Sequence, residues 1–290
     1  MKYHILYNPI SGGGHGGEEI EHIKSLVDGE FTVTSVIDIE DYQSYLAAIP
    51  STDALILSGG DGTLNKFINQ ADGISLNCKT YYYASGSGND FLNDVEGAER
   101  GELIELDKYI EYLPTVEING KTYRFINGIG YGIDGYCCEE GDRIRERSDK
   151  PVNYTAVAIK GLLYDYKPAD ATVIVDGEEY RYKKVWVAPT MNGRFYGGGM
   201  MPTPDQDRLS PDHKLSVMIF HDSGKIKTLR LFPSIFKGGH VKHTEAVTIH
   251  RGKEITVRYD SPRPLQIDGE TIKNVSEYTA RSAELSTVKR

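Results

Sequence analysis

The stretch Leu55–Asn69, LILSGGDGTLNKFIN, decides how the first part of the chain folds. An apolar run of strand length ends at Ser58 and meets three glycines that enclose Asp61, after which a helical pattern follows. A strand that enters a helix through a glycine loop presents free backbone N–H groups and the positive end of a helix dipole, and both favour phosphate. The stretch therefore predicts a strand, a phosphate-binding loop and a helix.

The carboxylate inside this loop needs its own explanation. Asp61 would repel a bare phosphate, so its position makes sense if Mg²⁺, a transferable hydroxyl proton or both lie between it and a nucleotide. The alternative is a Gly-Asp-Gly turn in which the aspartate only caps a helix. Local spacing does not separate the two interpretations.

Two other strand patterns end in loops of small residues. Tyr3–Tyr7 runs into Asn8-Pro9-Ile10-Ser11-Gly12, and Tyr81–Ala84 runs into SGSGND at 85–90. The alternation of short apolar strands with helical patterns predicts a parallel α/β sheet over the first hundred residues. Ligands of open α/β sheets bind beyond the carboxyl ends of the strands, so the three loops are expected to converge on one polyphosphate site. No Walker loop occurs, and the dinucleotide fingerprint is matched only weakly.

The second half has a different pattern. Asn119-Gly120 and Asp176-Gly177 each lie between β-prone runs, which is typical of two-residue hairpin turns. Further strand candidates follow, separated by turn residues, with one helical insertion near 154–166. We therefore expect a mostly antiparallel β domain after a boundary near Asp107.

Composition sets the outer limits of function. The chain has 290 residues with 39% hydrophobic content, enough for two domains, and its formal net charge of -9 disfavours nucleic acid as a partner. Three cysteines without a CxxC pair fit a reducing cytosol. No signal peptide or membrane-spanning run is evident. These features predict a cytoplasmic protein whose membrane contact is peripheral, at the inner membrane surface.

Six motifs in order give the chain a resemblance. NPxSG at 8–12, GGDGTLN at 59–65 and GSGNDF at 86–91 resemble the catalytic domain shared by diacylglycerol kinases, sphingosine kinases and bacterial lipid kinases. The similarity continues through FINGIGYGID at 125–134, NGRFYGGGM at 192–200 and QIDGE at 266–270. Together the motifs cover nearly the whole chain, which makes the resemblance far more specific than any single motif.

This resemblance implies a nucleotide-binding α/β domain over 1–107, a β-rich lipid-substrate domain over 108–275, and a return of 276–290 to the first domain. It places ATP with Mg²⁺ in the interdomain cleft and makes a lipid hydroxyl the phosphoryl acceptor. Residues from all three small-residue loops would contact the nucleotide: Asn8, Pro9, Ser11, Gly12, Gly59, Gly60, Asp61, Gly62, Thr63, Asn65, Ser87 and Asn89.

The catalytic assignments also come from the resemblance. Glu270 is the candidate general base and Asp268 would assist Mg²⁺ placement, while Asp61 could exchange roles with either. The same three letters, DGE, occur at 176–178, where we predict only a hairpin turn.

The resemblance also implies a structural metal site. In the loop over 202–215, Asp212 would bind Mg²⁺ together with the carbonyls of Leu209 and Lys214. His213 and Ser216 stand where the family usually has glycine and aspartate. A metal-free loop is therefore an equal alternative.

The predicted activity is ATP- and Mg²⁺-dependent phosphorylation of a lipid, with diacylglycerol as the first choice and sphingoid bases, undecaprenol or another glycerolipid open. One alternative is an NAD kinase, which shares the GGDGT element but carries an NxGxLGF signature that is missing here. The other is a non-catalytic nucleotide or lipid sensor of the same fold. An exposed sheet edge in the second domain could also pair two chains as a homodimer.

Overall fold

The computed structural model describes residues 1–74, 76–86, 88–147, 152 and 154–285 of the chain. The described chain divides into two units, Met1–Leu113 with the residues from Ala283, and Pro114–Ser282. Both limits lie six to seven residues later in the chain than the limits 107/108 and 275/276 expected from the sequence.

The first unit is the predicted α/β domain. Its strands are β1 (Lys2–Tyr7), β2 (Glu30–Ser35), β3 (Ala54–Gly59), β4 (Lys79–Ala84) and β5 (Leu103–Glu105). Its α-helical segments are α1 (Ser11–Gly14), α2 (Ile20–Ser25), α3 (Tyr42–Ala47), α4 (Asp61–Gln70), α5 (Asp90–Asp94) and α6 (Asp107–Ile110), with a 3-10 turn at Val36–Asp38. Gly12 and Gly13 have positive φ, so α1 is a glycine turn with left-handed residues inside it rather than a regular helix.

The parallel sheet of this unit has the order β2-β1-β3-β4-β5. The strands β1 to β4 pair in parallel, and only β5 at the edge runs antiparallel. Every residue of the central strand β3 is buried, as its continuous apolar run predicts for a strand covered on both faces. The sheet therefore brings the carboxyl ends of β1, β3 and β4 to one edge, with β3 in the middle.

The second unit is the predicted antiparallel β domain. Its strands are β6 (Tyr112–Ile118), which begins in the first unit, β7 (Lys121–Arg124), β8 (Gly128–Tyr131), β9 (Ala169–Val175), β10 (Glu178–Val185), β11 (Thr190–Met191), β12 (Leu215–Phe220), β13 (Val247–Gly252), β14 (Glu254–Ile267) and β15 (Glu270–Leu285). Its helices are α7 (Ile133–Arg145), α8 (Tyr154–Lys160) with a π-helical turn at Gly161–Asp165, α9 (Lys225–Leu231), and 3-10 helices at Phe232–Lys237 and Gly239–Lys242.

The long strand β14 organises this sheet, whose main path is β13-β12-β11-β8-β14-β15-β6-β7. Its first half pairs with β9 and its last residues pair with β8, because the register shifts between Arg258 and Arg263. The strand β15 pairs with β14 from Glu270 to Arg281, so this stretch lies in the second unit. The sheet buries a core that includes Tyr131, Val257 and Tyr278.

Both predicted hairpin turns are present. Asn119-Gly120 joins β6 to β7, Asp176-Gly177 joins β9 to β10, and all four residues have positive φ, as a type I′ turn requires. Among the described residues, no helix is long and apolar enough to cross a bilayer.

Candidate active site

The three small-residue loops of the first unit meet at the carboxyl ends of β1, β3 and β4. Asn8, which follows β1, donates from its side-chain amide to the Thr63 hydroxyl on α4 at 2.8 Å. Its backbone N–H donates to the carbonyl of Ser58 on β3 at 3.0 Å, and its side-chain oxygen accepts from the N–H of Ile10 at 3.2 Å. Asn8 therefore holds the NPxSG loop against the GGDGT loop in the folded protein.

Glycines let the loops touch backbone to backbone. A Cβ on Gly86 would lie 2.4 Å from the Cα of Gly60, so the backbones of the loops after β3 and β4 touch at these two glycines. A Cβ on Gly12 would lie 2.9 Å from the carbonyl oxygen of Ser85, and Gly12 has a φ of +59°. A side chain at either position would push the loops apart, so these glycines serve loop-to-loop packing.

The Asp61 carboxylate caps a neighbouring helix. It is the first residue of α4, yet its two oxygens accept from the backbone N–H groups of Asp90 and Phe91, both at 2.9 Å, at the start of α5. Asn89, the N-cap residue of α5, is left-handed and supplies no side-chain cap itself. Asp61 therefore joins the second loop to the third, and the capping interpretation holds for a helix other than the one that Asp61 begins.

The amino end of α4 remains without a side-chain cap, because its N-cap residue is Gly60. Unpaired N–H groups and the helix dipole make such an end suited to phosphate. Beside it, the side-chain oxygen of Asn89 is buried and has no hydrogen-bond partner in the described part of the chain. A buried orphan acceptor is costly unless a donor reaches it, and the donors of a nucleotide are its ribose hydroxyls and the amino group of its base.

The remaining predicted nucleotide contacts are placed as follows. Thr63 and Asn65 are buried on α4, Gly62 is its second residue, Pro9 is half-buried after β1, and Ser11 is buried in the glycine turn. Ser87 lies outside the described residues. The described loops thus hold the other predicted residues together, and their contact with a nucleotide stays a prediction.

Sequence reasoning missed Tyr82, which forms a buried hydrogen bond to the start of the glycine loop. This fully buried tyrosine donates from its hydroxyl to the carbonyl oxygen of Gly59 at 2.9 Å. Burial raises its pKa well above the usual value, and the nearby carboxylates of Asp61 and Asp90 add to the effect. The hydroxyl therefore stays protonated and a donor. The run Tyr81-Tyr82-Tyr83 signalled a strand but not this contact.

In the second unit, Asp268 is a buried structural anchor. One of its carboxylate oxygens accepts from the N–H of Ile126 at 2.7 Å, and the other accepts from those of Asn127 and Gly128, each at 2.9 Å. Its own N–H donates to the carbonyl of Gly128 at 3.1 Å. The carboxylate thereby fixes the FING segment beside QIDGE, and a part in placing Mg²⁺ stays a prediction.

Glu270 stands two residues further on the same β14–β15 turn. It is the first residue of β15, its residue is exposed, and it pairs with Ile267 across the turn. Its charge adds to the rise in the pKa of the Cys138 thiol on α7, although burial is the larger cause. Glu270 is thus an exposed residue beside a turn that Asp268 holds, and its part as general base stays a prediction.

The neighbouring hydrogen bonds connect three segments, 125–134, 192–200 and the 202–215 loop. Asn192 donates from its side chain to the carbonyl of Ile126 at 2.9 Å, and Arg208 donates to the same carbonyl at 3.1 Å and to the side chain of Asn127 at 3.0 Å. Gln206 donates to the carbonyl of Asn192 at 3.2 Å. Sequence reasoning assigned Arg208 no role, because a single arginine in a loop carries no signal of its partners.

A second buried carboxyl, Asp134 at the start of α7, also escaped sequence reasoning. Burial raises its pKa to about 6, while the Gly135 N–H and the Tyr196 hydroxyl lower it in part. One of its oxygens is buried without a hydrogen-bond partner among the described residues. Close packing explains the burial, because a Cβ on Gly130 would lie 2.0 Å from that oxygen.

In the loop that would hold the structural metal, the predicted carboxylate contacts protein groups. Asp212 accepts from the Ser210 hydroxyl at 2.8 Å and from the Lys214 N–H at 3.2 Å, and the Arg251 guanidinium lies 3.7 Å away. The Ser210 hydroxyl is the main cause of a lowered Asp212 pKa.

The predicted carbonyl ligand of Lys214 accepts from the Gln206 amide at 2.9 Å, and Gln206 also accepts from Ser216 at 2.5 Å. Mg²⁺ needs several oxygen ligands that face it, and two of the predicted ones, Asp212 and the Lys214 carbonyl, already accept protein donors. Among the described residues, no group of three or more His, Cys, Asp or Glu side chains could hold a metal. The protein's own contacts therefore order this loop, and magnesium binding by Asp212, Leu209 and Lys214 stays a prediction.

Comparison with known proteins agrees with both units. Residues 2–111 match the diacylglycerol kinase catalytic domain, and residues 127–283 match the YegS C-terminal NAD kinase beta sandwich-like domain. A diacylglycerol kinase of Mycobacterium tuberculosis is 27% identical over 271 residues, covering 86% of this chain and 84% of the relative. The protein YtlR of Bacillus subtilis is 26% identical over 239 residues, covering 74% and 73%.

A solved structure shares the fold. A crystal structure of a diacylglycerol kinase from Bacillus anthracis superposes with a TM-score of 0.59 at 16% identity, covering 98% of this chain and 96% of that one. The two domain matches follow one another along the chain and together span most of it. The chain therefore belongs to the diacylglycerol kinase catalytic domain family of lipid kinases, in the form that carries a YegS-type C-terminal β domain.

Proposed function

We propose that the protein transfers the γ-phosphoryl group of ATP, with Mg²⁺, to the hydroxyl of diacylglycerol and forms phosphatidic acid. The observation that carries this proposal is the junction of three loops around the uncapped amino end of α4, held by the Asn8–Thr63 hydrogen bond and the Asp61 cap. Backbone N–H groups at such a junction suit a polyphosphate. The kinase family of the chain makes a nucleoside triphosphate the natural occupant.

The first unit would bind and orient the triphosphate. The groups that would contact it are N–H groups of α4, the side chains of Asn8 and Asn65, and Asn89 on the third loop. When bound, Mg²⁺ would offset the negative charge on the β- and γ-phosphates. Asp61 has a dual part in this proposal, since it ties two loops together and can also face the metal with its remaining lone pairs.

The second unit would supply the proton acceptor. Glu270 is exposed on the β14–β15 turn, and Asp268 holds that turn through three backbone N–H groups. In the proposed reaction Glu270 takes the proton of the lipid hydroxyl as the γ-phosphoryl group is attacked in line. The proposal requires that Glu270 reach the acceptor hydroxyl within hydrogen-bond distance, with Asp61 as the alternative base.

Diacylglycerol is the acceptor that we favour. The Mycobacterium tuberculosis relative, which aligns with most of this chain, is named a diacylglycerol kinase. Because a diacylglycerol lies in a bilayer, the proposal also places the protein at the inner membrane surface as a peripheral protein. Phospholipid synthesis is the process that phosphatidic acid would feed.

The test is phosphoryl transfer from γ-labelled ATP to lipids extracted from membranes, followed by identification of the labelled product. Diacylglycerol, sphingosine, undecaprenol and NAD are then supplied singly, with EDTA as the test of metal dependence. Label in phosphatidic acid that EDTA abolishes is the expected result. Label in another product would identify a different acceptor. No label in any product would favour a non-catalytic binding protein.

A further inference from the structure

The segment 223–244 of the second unit differs in charge from the rest of the chain. It contains five lysines and arginines and no aspartate or glutamate, although the whole chain has 42 acidic residues against 33 basic ones. The site described above uses none of these cations. Such a local excess of positive charge in an acidic protein calls for a partner of negative charge.

The fold turns all five of these cations outward. Helix α9 and the two 3-10 helices that follow it pack against one another in sequence, and Thr228, Ile235 and His240 face inward and are buried. Leu229 and Phe232 pack against the core of the unit. The exposed residues of this segment include every one of its basic side chains: Lys225, Lys227, Arg230, Lys237 and Lys242.

Apolar side chains stand exposed among these charges. Ile226 is 77% exposed and Phe236 is 42% exposed, so two large hydrophobic side chains of this segment face solvent. Tyr164, on the π-helical turn, is 74% exposed, and the Lys225 ammonium donates to the neighbouring carbonyl of Leu163 at 2.8 Å. This hydrogen bond links the tyrosine-bearing turn to α9. We call these three side chains with the five cations the basic face.

Most of this charge is not neutralised within the protein. Lys227 forms an ion pair with Glu245 at 3.0 Å, just beyond the segment. Arg230, Lys237 and Lys242 form no ion pair with any residue that the structure describes. Three cations are therefore free to meet an external anion.

We propose that the basic face docks on the surface of an anionic lipid bilayer. Lysines and arginines are attracted to anionic headgroups, while exposed aliphatic and aromatic side chains enter the boundary between headgroups and acyl chains. A polyanion such as nucleic acid would use the charges but would leave Ile226 and Phe236 in water. The proposal rests on the proposed function, because a kinase with a lipid acceptor must work at a bilayer, and it names the surface that does so.

The experiment measures vesicle binding of the full chain without ATP. Vesicles of phosphatidylcholine, with or without phosphatidylglycerol, are sedimented with the protein at low and high salt. Each cation near an anionic surface strengthens binding roughly fivefold, so the combined variant Arg230→Gln, Lys237→Gln, Lys242→Gln should bind the anionic vesicles on the order of 100-fold more weakly. High salt should weaken binding of the unmodified protein but change that of the variant much less.

A charge-matched control replaces three exposed cations elsewhere in the same unit, on β7, on β10 and between β13 and β14: Lys121→Gln, Arg181→Gln and Lys253→Gln. Its binding should stay within a few-fold of the unmodified protein. A second variant, Ile226→Ser with Phe236→Ser, keeps the charge and should also bind anionic vesicles more weakly while retaining the salt dependence. Circular dichroism confirms that each variant is folded.

The possible results test the docking surface and the kinase activity separately. Failure of the unmodified protein to bind anionic vesicles, or equal losses in the control and the Arg230, Lys237, Lys242 variant, would overturn the proposed surface. Binding of a single-stranded oligonucleotide through the same cations, without vesicle binding, would assign the face to nucleic acid instead. Vesicle binding without phosphoryl transfer would count against the kinase proposal and leave the docking surface standing.

Discussion

Replacement of Asp61 by asparagine should destabilise the first unit as well as stop phosphoryl transfer. The carboxylate accepts two backbone N–H groups at the start of α5, from Asp90 and Phe91, both at 2.9 Å. Asparagine has the same shape but only one acceptor oxygen. Its NH₂ group would face one of the two backbone donors, so one hydrogen bond is lost and the other becomes neutral.

The size of the loss follows from these two bonds. A hydrogen bond to a charged group contributes about 1.5–3 kcal/mol, and a neutral one contributes roughly half as much. Losing one bond and weakening the other should cost about 2–3 kcal/mol, after a discount because the Asp61 residue is only partly buried. A loss of that size leaves a domain of ordinary stability folded.

Urea unfolding of the purified protein, followed by circular dichroism, measures this loss as a change in the free energy of unfolding. Asp28→Asn is the matched control, because it removes one carboxylate from an exposed position of the same unit and should change stability by less than about 0.5 kcal/mol. An Asp61→Asn variant as stable as this control would refute the capping role. Near-normal phosphoryl transfer by a folded Asp61→Asn variant would refute a direct role for Asp61 in the reaction.

Three further predictions concern the second unit. Glu270→Gln should lower the turnover number much more than ATP affinity, whereas Glu178→Gln in the other DGE triplet should change neither; an unchanged turnover for Glu270→Gln would return the base assignment to Asp61. Because burial raises the Asp134 pKa from 3.8 to about 6, this group contributes stability below about pH 4 that is lost as the pH rises through 6. The Asp134→Asn variant should lack this decline. The change in unfolding free energy between pH 4 and 7 should therefore differ between the unmodified protein and the variant by up to about 3 kcal/mol. An equal change in both proteins would contradict a raised pKa of Asp134. Finally, because protein groups already contact Asp212 and order the 202–215 loop, EDTA should not lower the melting temperature of the nucleotide-free protein. Gln206→Ala should instead cost about 2–3 kcal/mol through its lost hydrogen bonds to Asn192, Lys214 and Ser216. A lower melting temperature in EDTA would support the structural metal site.

Much of the fold could be predicted from local patterns. Continuous apolar runs such as the one in β3 indicated buried parallel strands, and Asn-Gly and Asp-Gly pairs indicated the antiparallel hairpins. The order of the glycine loops at strand ends indicated that they would meet, and they do. These features depend on residues that are neighbours in the chain or on the rule that parallel strands end at one edge, so sequence suffices.

The two DGE triplets show where that reasoning stopped. Asp176 and Asp268 both begin two-residue hairpin turns with positive φ, and each carboxylate accepts backbone N–H groups from a distant segment. Asp176 is exposed, whereas Asp268 is buried beneath the FING segment. The local geometry is the same, and only the surroundings differ.

The sequence alone determined that the chain carries an α/β unit with glycine loops at its strand ends and an antiparallel β unit with carboxylates at marked turns. Only the tertiary structure decided what those carboxylates contact: Asp61 caps α5, Asp268 holds three N–H groups, and Asp212 lies beside Arg251 rather than in a free ligand set. The physical reason is range. Strand and turn preferences arise within a few residues, whereas a carboxylate takes its partners from whichever donors the fold brings within about 3 Å, over separations as large as 142 residues.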